Sequence, residues 1–427
     1  MEMINTIFQN NTLRGLIGII SLIGICYLLS NNRKKISWNL VLTGLLIQII
    51  FAIGVLKIPF VSSVFKSISD VFIALLEFTK SGAIFLFGEV LVNDNSFGAT
   101  FAFQILPTIV FFSALTSVLF YLGVLQKIVY FFAKIIKKLM NLSGPESLAV
   151  VGNVFLGQTE SPLLIKPYIK KFTKSELLCL MGGGMATIAG GVFIAFIGFL
   201  GEEYATHLLA ASVMSAPAAV IASKILLPET KKTSKEMKIS DEDFGNNLFD
   251  SITLGTVQGI KLAVNVGGML LVFVAFIALL NALLNIFGSF TGINDLISTN
   301  SNIYDNLSLE LIFGYLFAPI AWIIGIPYQD ILLSGQLLGE KTVANEFIAY
   351  ESLSEMINNN SLTEKSRIMA TYFLCGFANF LSIGIQIGGI SVLAPNKRKD
   401  LAKLGIKALI AGTVASLLTA VIVGILI

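Results

Sequence analysis

A short polar run, Gly157 Gln158 Thr159 Glu160 Ser161 Pro162, lies between two apolar arms, Leu148 to Leu156 and Leu163 to Ile169. Each arm is too short to cross a bilayer, because a spanning helix needs about 20 residues at roughly 1.5 Å rise each. The arms reach only about halfway, so the run would bring a carboxylate, an amide and two hydroxyls near the membrane midplane. The broken backbone there frees N–H and C=O groups that need partners, which points to a solute site.

That reading holds only if the chain is a membrane protein. It is 55% hydrophobic and 13% charged, against about 25% charged for a soluble domain. Several windows reach the spanning criterion, which makes the chain a polytopic integral membrane protein. A net charge of +3 is too small to suggest nucleic-acid binding, and no nucleic-acid partner is expected. Cys26, Cys179 and Cys375 sit in apolar segments without CxxC spacing and read as packing residues. The apolar stretch Leu16 to Leu29 lacks a small-residue cleavage site and has most of its basic charge after it, so a retained helix is expected rather than a signal peptide.

Basic flanks orient the segments by the positive-inside rule. Arg33, Lys34 and Lys35 place the end of span one (Arg14 to Ser30) inside and the N-terminus outside. Span two covers Trp38 to Leu56. The stretch Pro59 to Asn95 reads as an external, partly interfacial helix and a polar loop, and span three as Phe101 to Leu122. Lys127 to Met140 forms a surface helix with Lys127, Lys134 and Lys138 on one face and Ile128, Phe131, Phe132, Ile135 and Leu139 on the other. The segment with Glu160 then enters and leaves on the cytoplasmic side as a re-entrant hairpin. Spans four (Leu177 to Leu200) and five (Leu208 to Leu227) come next, then a surface helix Asp241 to Gln258 and span six (Ile260 to Phe287). The outer end of span six carries Asn294, Asp295, Asn300 and Asn302. A second short-armed unit runs from Tyr328 to about Met356, and spans seven (Ile368 to Ile390) and eight (Leu404 to Ile427) complete the chain. The fold is thus all-α, with eight crossings and both termini outside, provided that Leu309 to Ile326 lies in the interface rather than crossing.

The two halves share an order of hairpin, Glu-bearing tip, helix start, small-residue break and final helix. The first copy is Glu160, Thr173 to Glu176, Gly182 to Gly191 and Leu208 onward; the second is Glu346, Thr363 to Ser366, Gly376 to Gly384 and Leu404 onward. Oppositely oriented hairpins in an inverted repeat are the architecture of secondary transporters, although two independent Gly-rich helices would give the same pattern. Glu160 and Glu346 are costly in an apolar phase and should face a cavity or partner; Lys341 could satisfy Glu346, and Glu160 could cap a short helix. The Gly182 to Gly191 break would free carbonyls which, with the Thr187 hydroxyl and the Asn153 amide, offer hard oxygen ligands suited to Na⁺. The same glycines could instead allow close helix packing. Asn379 and Ser382 share a helix face beside Phe377, suiting a hydroxylated planar solute. His207, the single histidine, sits at a span boundary and reads as interfacial.

The runs GQTESPLLIKPY, GGMATIAGG, SAPAAVIASKILLPET, ANEFIAY and CGFANFLSIGIQIGG resemble the concentrative nucleoside transporters, over about Phe101 to Gly389. The resemblance implies a homotrimer in the plasma (bacterial inner) membrane, each protomer having a scaffold domain and a mobile transport domain that moves substrate by an elevator motion. It divides the chain into scaffold helices 1–125, a first transport half 126–258, a scaffold span with an interfacial helix 259–326 and a second transport half 327–427. It implies nucleobase contacts from Gly157, Gln158, Thr159 and Glu160, ribose contacts from Glu346, Asn379 and Ser382, an aromatic at Phe377 and a pocket wall at Val192. The Na⁺ site maps to the side chains of Asn153 and Thr187 and the carbonyls of Leu156 and Ile188. Leu262 and Asn265 of span six receive no assignment.

The expected activity is therefore nucleoside import by Na⁺ symport, with Na⁺ as the co-transported ion. Proton coupling is the alternative that the resemblance implies, since some bacterial members use protons and do not retain both the hydroxyl and the amide ligand, whereas Asn153 and Thr187 are both present here. A channel would need a continuous polar path. An enzyme would need a nucleophile, acid–base pair or metal cluster, and the chain offers no convincing set.

Overall fold

The computed structural model describes residues 11–93, 101–240, 245–301 and 303–427. Asn95, Asp241 and Asn302, which mark the expected outer loop, surface helix and outer turn, lie outside these ranges, as do the first ten residues. Among the described residues all regular secondary structure is helical. Within those same residues, seven helical stretches are long and apolar enough to cross a membrane, six of them matching expected spans. The seventh is Pro59–Phe87, read from sequence as external and partly interfacial. Spans one and seven are represented by the shorter apolar helices Thr12–Leu28 and Phe380–Leu393.

The N-terminal helices are α1 (Asn11–Leu28), α2 (Trp38–Lys57), α3 (Pro59–Phe87), α4 (Leu106–Tyr121) and α5 (Val124–Met140). A hairpin comes after them, formed by α6 (Gly144–Leu156) and the short α7 (Ser161–Leu164). Next are α8 (Lys174–Ala186), α9 (Gly190–Leu200), α10 (Ala205–Leu226), α11 (Leu248–Thr291) and α12 (Leu309–Ile323). The second hairpin is α13 (Ile331–Val343) with α14 (Glu346–Asn358), and it leads into α15 (Glu364–Leu374), α16 (Phe380–Leu393) and α17 (Arg398–Leu426).

The core sits where α8, α10 and α17 pack on one another. Small residues such as Ala211, Ser215, Ala219, Ala411, Gly412 and Ala415 are buried there and let the backbones approach closely. Outside it, Leu271, Phe276, Ile286 and Phe290 of α11 are exposed apolar side chains, a surface suited to lipid. On α5 the buried stripe is Leu125, Val129, Ala133 and Met140, whereas Phe131, Phe132, Ile135 and Leu139 remain exposed.

The expected separate surface helix before span six does not form as such, because its described part is continuous with the span in α11, 44 residues long. Asn247 caps the start by accepting from Asp250 N, and no proline interrupts the helix. Gly255 and Gly259, which could have marked a boundary, instead admit α4. A Cβ on either would stand 2.7 Å from the backbone Cα of Ala114 or Val110. At 15 residues, about 22 Å, α12 is too short to span alone and packs along α13 of the second hairpin.

The repeat extends to the anchoring of each hairpin. Ser143, the N-cap of α6, donates to Glu176 Oε1 (2.7 Å) in the first turn of α8. Asp330, the N-cap of α13, accepts from Thr363 Oγ1 and Ser366 Oγ (both 2.5 Å) at the start of α15. Thr173 and Thr363 are matching N-caps of α8 and α15, the first with a full capping box.

Candidate functional site

The polar run forms a chain reversal. Helix α6 stops at Leu156 because Gly157 takes φ +85°, a left-handed conformation that glycine adopts without a Cβ penalty, and its N–H bonds Asn153 O at 3.3 Å. A Cβ there would also lie 2.8 Å from Ala189 Cβ. The chain folds back so that Ser161 Oγ donates to Ala149 O at 2.8 Å. In the second hairpin Asn345 caps α14 by accepting from Ile348 N (3.1 Å), placing Glu346 at the positive end of that helix.

Each hairpin is succeeded by a broken helix. The first break is Thr187–Ala189, between α8 and α9, and the second is Cys375–Asn379, between α15 and α16. Sequence reading put the first break across Gly182 to Gly191, yet Gly182, Gly183 and Gly184 stay helical. Their role is space. Added Cβ atoms would meet Ser223 Oγ at 2.5 Å, Asn153 Nδ2 at 3.1 Å and Gln386 Nε2 at 2.7 Å, so each glycine admits a polar side chain from a different element. Gly376 in the second break has φ +122°, and a Cβ on it would lie 2.7 Å from Ala186 O. The second break therefore lies against the last turn of α8, next to the first break.

A polar network joins the hairpins through α16. Asn379, the N-cap of α16, accepts from Ser382 N (2.8 Å) and donates through Nδ2 to Glu346 Oε2 (2.7 Å). Gln158 Nε2 donates to Ser382 Oγ (3.3 Å), and Gln386 Nε2 donates to Gln158 Oε1 and to Met181 O (both 3.0 Å). Four expected residues, Gln158, Glu346, Asn379 and Ser382, are thus connected by hydrogen bonds, and Phe377 is buried in the break beside Asn379. Lys341 does not pair with Glu346 among the described residues; its Nζ donates to Phe373 O (2.7 Å) and Ser416 Oγ (3.1 Å). Thr159 is exposed and faces Gly389 of α16. Glu160 lies apart from the network, in a cavity it lines with Leu156, Val192 and Gly191 on one side and Phe112, Gln258 and Leu262 on the other.

Asn153 and Thr187 meet behind the first hairpin tip. Thr187 Oγ1 lies 3.1 Å from Asn153 O and 3.0 Å from Gly183 O, and Asn153 Nδ2 donates to Leu180 O at 3.4 Å. Asn153 is fully buried, and among the described residues its Oδ1 has no hydrogen-bond partner. An unpartnered amide oxygen in an apolar interior is costly. It lies where the C-terminal ends of α6 and α8 converge, and helix C-termini carry partial negative charge that favours a cation. The carbonyl-bearing residues Leu156 and Ile188 are both buried, at the end of α6 and in the break. His207, expected at the interface, places Nδ1 3.3 Å from Tyr372 Oη on α15, a contact between interior helices.

One functional candidate, Gln386, escaped the sequence reading, and a second, Leu262, was named there without an assignment. Gln386 is four residues beyond Ser382 on the same helix face, a spacing that could have flagged it. Leu262 faces the Glu160 cavity from α11, which required the packing of α11 on α4 to be known.

Two helical hairpins, two broken helices in contact and a buried polar network within a lipid-suited exterior define a membrane transporter. Residues 17–90, 102–203 and 207–424 match the families described as "Na+ dependent nucleoside transporter N-terminus", "Nucleoside recognition" and "Na+ dependent nucleoside transporter C-terminus". The chain belongs to the concentrative nucleoside transporter family, whose members are transporters rather than enzymes. It is 40% identical to an uncharacterized transporter of Haemophilus influenzae over 98% of both chains. It is 39% identical to human solute carrier family 28 member 3 over 96% of this chain and 59% of that protein. Among solved structures it is similar to CNTnw in an inward-facing substrate-bound state, with TM-score 0.89 and 36% identity over 97% of both chains. A CNTnw variant in an outward-facing state gives TM-score 0.90 at 36% identity, again over 97% of both chains.

Proposed function

We propose that this protein imports nucleosides by Na⁺ symport across the bacterial inner membrane, as a homotrimer whose protomers work by an elevator motion. The carrying observation is the fully buried Asn153, whose Oδ1 has no hydrogen-bond partner among the described residues and whose backbone carbonyl lies 3.1 Å from the Thr187 hydroxyl, behind the hairpin tip that contributes Gln158 to the polar network. Asn153 Oδ1, Thr187 Oγ1 and the Leu156 and Ile188 carbonyls would ligate Na⁺, a hard cation that takes neutral oxygen donors. Gly157, Gln158, Thr159 and Glu160 would read the base, with Phe377 and Val192 as apolar walls; Glu346, Asn379 and Ser382 would hold the ribose hydroxyls. A carboxylate held in place by Asn379 suits a diol, because its remaining acceptor positions can take hydrogen bonds from the hydroxyls.

Na⁺ at that position would order the first hairpin and so favour the geometry that binds nucleoside. By linkage, nucleoside then raises Na⁺ affinity by the same factor. In the proposed division into scaffold 1–125 and 259–326 and transport halves 126–258 and 327–427, the α4–α11 pair falls mainly on the scaffold side and the α8, α10, α17 core on the transport side, while α11 begins at Leu248 and α12 packs along α13 across the boundary. Radiolabelled uridine uptake into proteoliposomes tests the reading: an imposed Na⁺ gradient should drive accumulation, and uptake that ignores Na⁺ but tracks a proton gradient would overturn it.

A further inference from the structure

The repeat that places a candidate ion site behind the first hairpin implies an equivalent position behind the second. In the first repeat, the last turn of α6 meets the end of α8 through Asn153 and Thr187. In the second, the last turn of α13 meets the end of α15, and there Lys341 Nζ donates to Phe373 O, two residues before the break. A second bond reaches Ser416 Oγ of α17. Lys341 is only 2% exposed, and among the described residues it forms no ion pair with a carboxylate. Both sites are places where two helix C-termini converge on a broken backbone, which favours positive charge. The first leaves an amide oxygen unpartnered, and the second is filled by an ammonium.

We infer that Lys341 is a tethered cation, standing in the second repeat where a free cation would stand in the first, and that it positions the Glu346-bearing hairpin tip against the second break. Its charge is held by a carbonyl and a hydroxyl, the donor types expected of an alkali-ion site. The bond to Phe373 O fixes the end of α15, and the break that begins there carries Phe377 and Asn379, the latter bonded to Glu346. Lys341 is thus a positioning residue. The chain needs no mobile cation at the second hairpin, so this position adds no second Na⁺ to the cycle. This inference rests on the Na⁺ reading of the Asn153 and Thr187 site.

The test is uridine binding to purified protein in detergent at fixed pH, for wild type, Lys341→Arg and Lys341→Ala, with and without millimolar methylammonium. Lys341→Ala should lose affinity by on the order of tenfold or more, as expected for removing a charged hydrogen-bonding group. Methylammonium, the excised end of the side chain, should recover a substantial part of that loss in Lys341→Ala and change nothing in wild type. The Na⁺ dependence of binding should have a Hill coefficient near one in wild type and rise above one in Lys341→Ala, as Na⁺ gains access to the vacated position. A folded Lys341→Ala that binds uridine like wild type overturns the inference. So does one that has lost affinity and responds to neither methylammonium nor Na⁺, since a merely structural lysine would behave that way. If wild-type binding proves independent of Na⁺, the first-site reading fails, while methylammonium rescue still reports separately on Lys341.

Discussion

Neutralising Glu146 alone should destabilise the protein far more than neutralising it together with Lys224. Glu146 Oε1 and Lys224 Nζ are 2.5 Å apart at the base of the first hairpin, with Glu146 2% and Lys224 7% exposed. At an effective dielectric constant of about 20, this separation gives an attraction of about 7 kcal/mol. Desolvating the two ions costs several kcal/mol each, so the intact pair is close to neutral overall. Removing one partner leaves the other buried, at a cost of about 3–5 kcal/mol. Lys224 also donates to Ser175 Oγ at 3.0 Å, which softens the loss of Glu146 without replacing its charge. At roughly 2 °C per kcal/mol for a chain of this size, Glu146→Gln or Lys224→Met should lower the unfolding midpoint by about 6–10 °C at matched scan rate. The double variant should recover more than half of the larger loss. Thermal scanning of the detergent-solubilised protein checks this, with uridine binding as a measure of native structure. Single variants within about 1 °C of wild type, or a double variant whose loss equals the sum of the singles, would refute the reasoning.

Thr187→Val keeps the side-chain shape and removes one proposed Na⁺ ligand. It should raise the Na⁺ concentration for half-maximal uridine binding by about tenfold or more, and an unchanged Na⁺ response would remove Thr187 from the ion site. Glu346→Gln keeps the size of the side chain but loses the charge that accepts from Asn379 at 2.7 Å. Uridine affinity measured by calorimetry should fall by about tenfold with little change in unfolding midpoint; wild-type affinity would sink its proposed ribose role. Gln386→Leu removes the bonds to Gln158 Oε1 and Met181 O and should weaken uridine binding severalfold, to an extent that differs between pyrimidine and purine nucleosides. Equal effects on both would separate Gln386 from base recognition.

The broad architecture was legible because the bilayer imposes few solutions: apolar lengths, basic flanks and the short-armed polar runs identify spans and hairpins without tertiary information. The polar site was legible in part for the same reason, since Gln158, Glu346, Asn379 and Ser382 are conspicuous in apolar surroundings. What escaped depended on packing. The triple glycine reads equally as a break or as room for neighbours, and only the approach of Ser223, Asn153 and Gln386 decides for room. The continuity of α11 was hidden because the stretch ending at Gln258 reads as a separate surface helix until Ala114 and Val110 are seen against Gly255 and Gly259. Lys341 reads as a partner for Glu346 by proximity in sequence, but the nearer acceptor is a carbonyl from a helix more than thirty residues away.

The 44-residue α11 also has a consequence for the membrane itself. Its length of about 66 Å is roughly twice the hydrocarbon thickness of a typical bilayer, about 30 Å. Such a rod cannot lie upright wholly within the hydrocarbon; it must lean or project beyond it, and the exposed stretch from Leu271 to Phe290, about 29 Å long, is the part that matches the hydrocarbon thickness. Through its glycine contacts with α4, any change of lean is passed to the helix that borders the Glu160 cavity. Acyl-chain length then becomes a control variable for this protein, so that reconstitution in thin and thick bilayers should give different transport rates at the same substrate and ion concentrations.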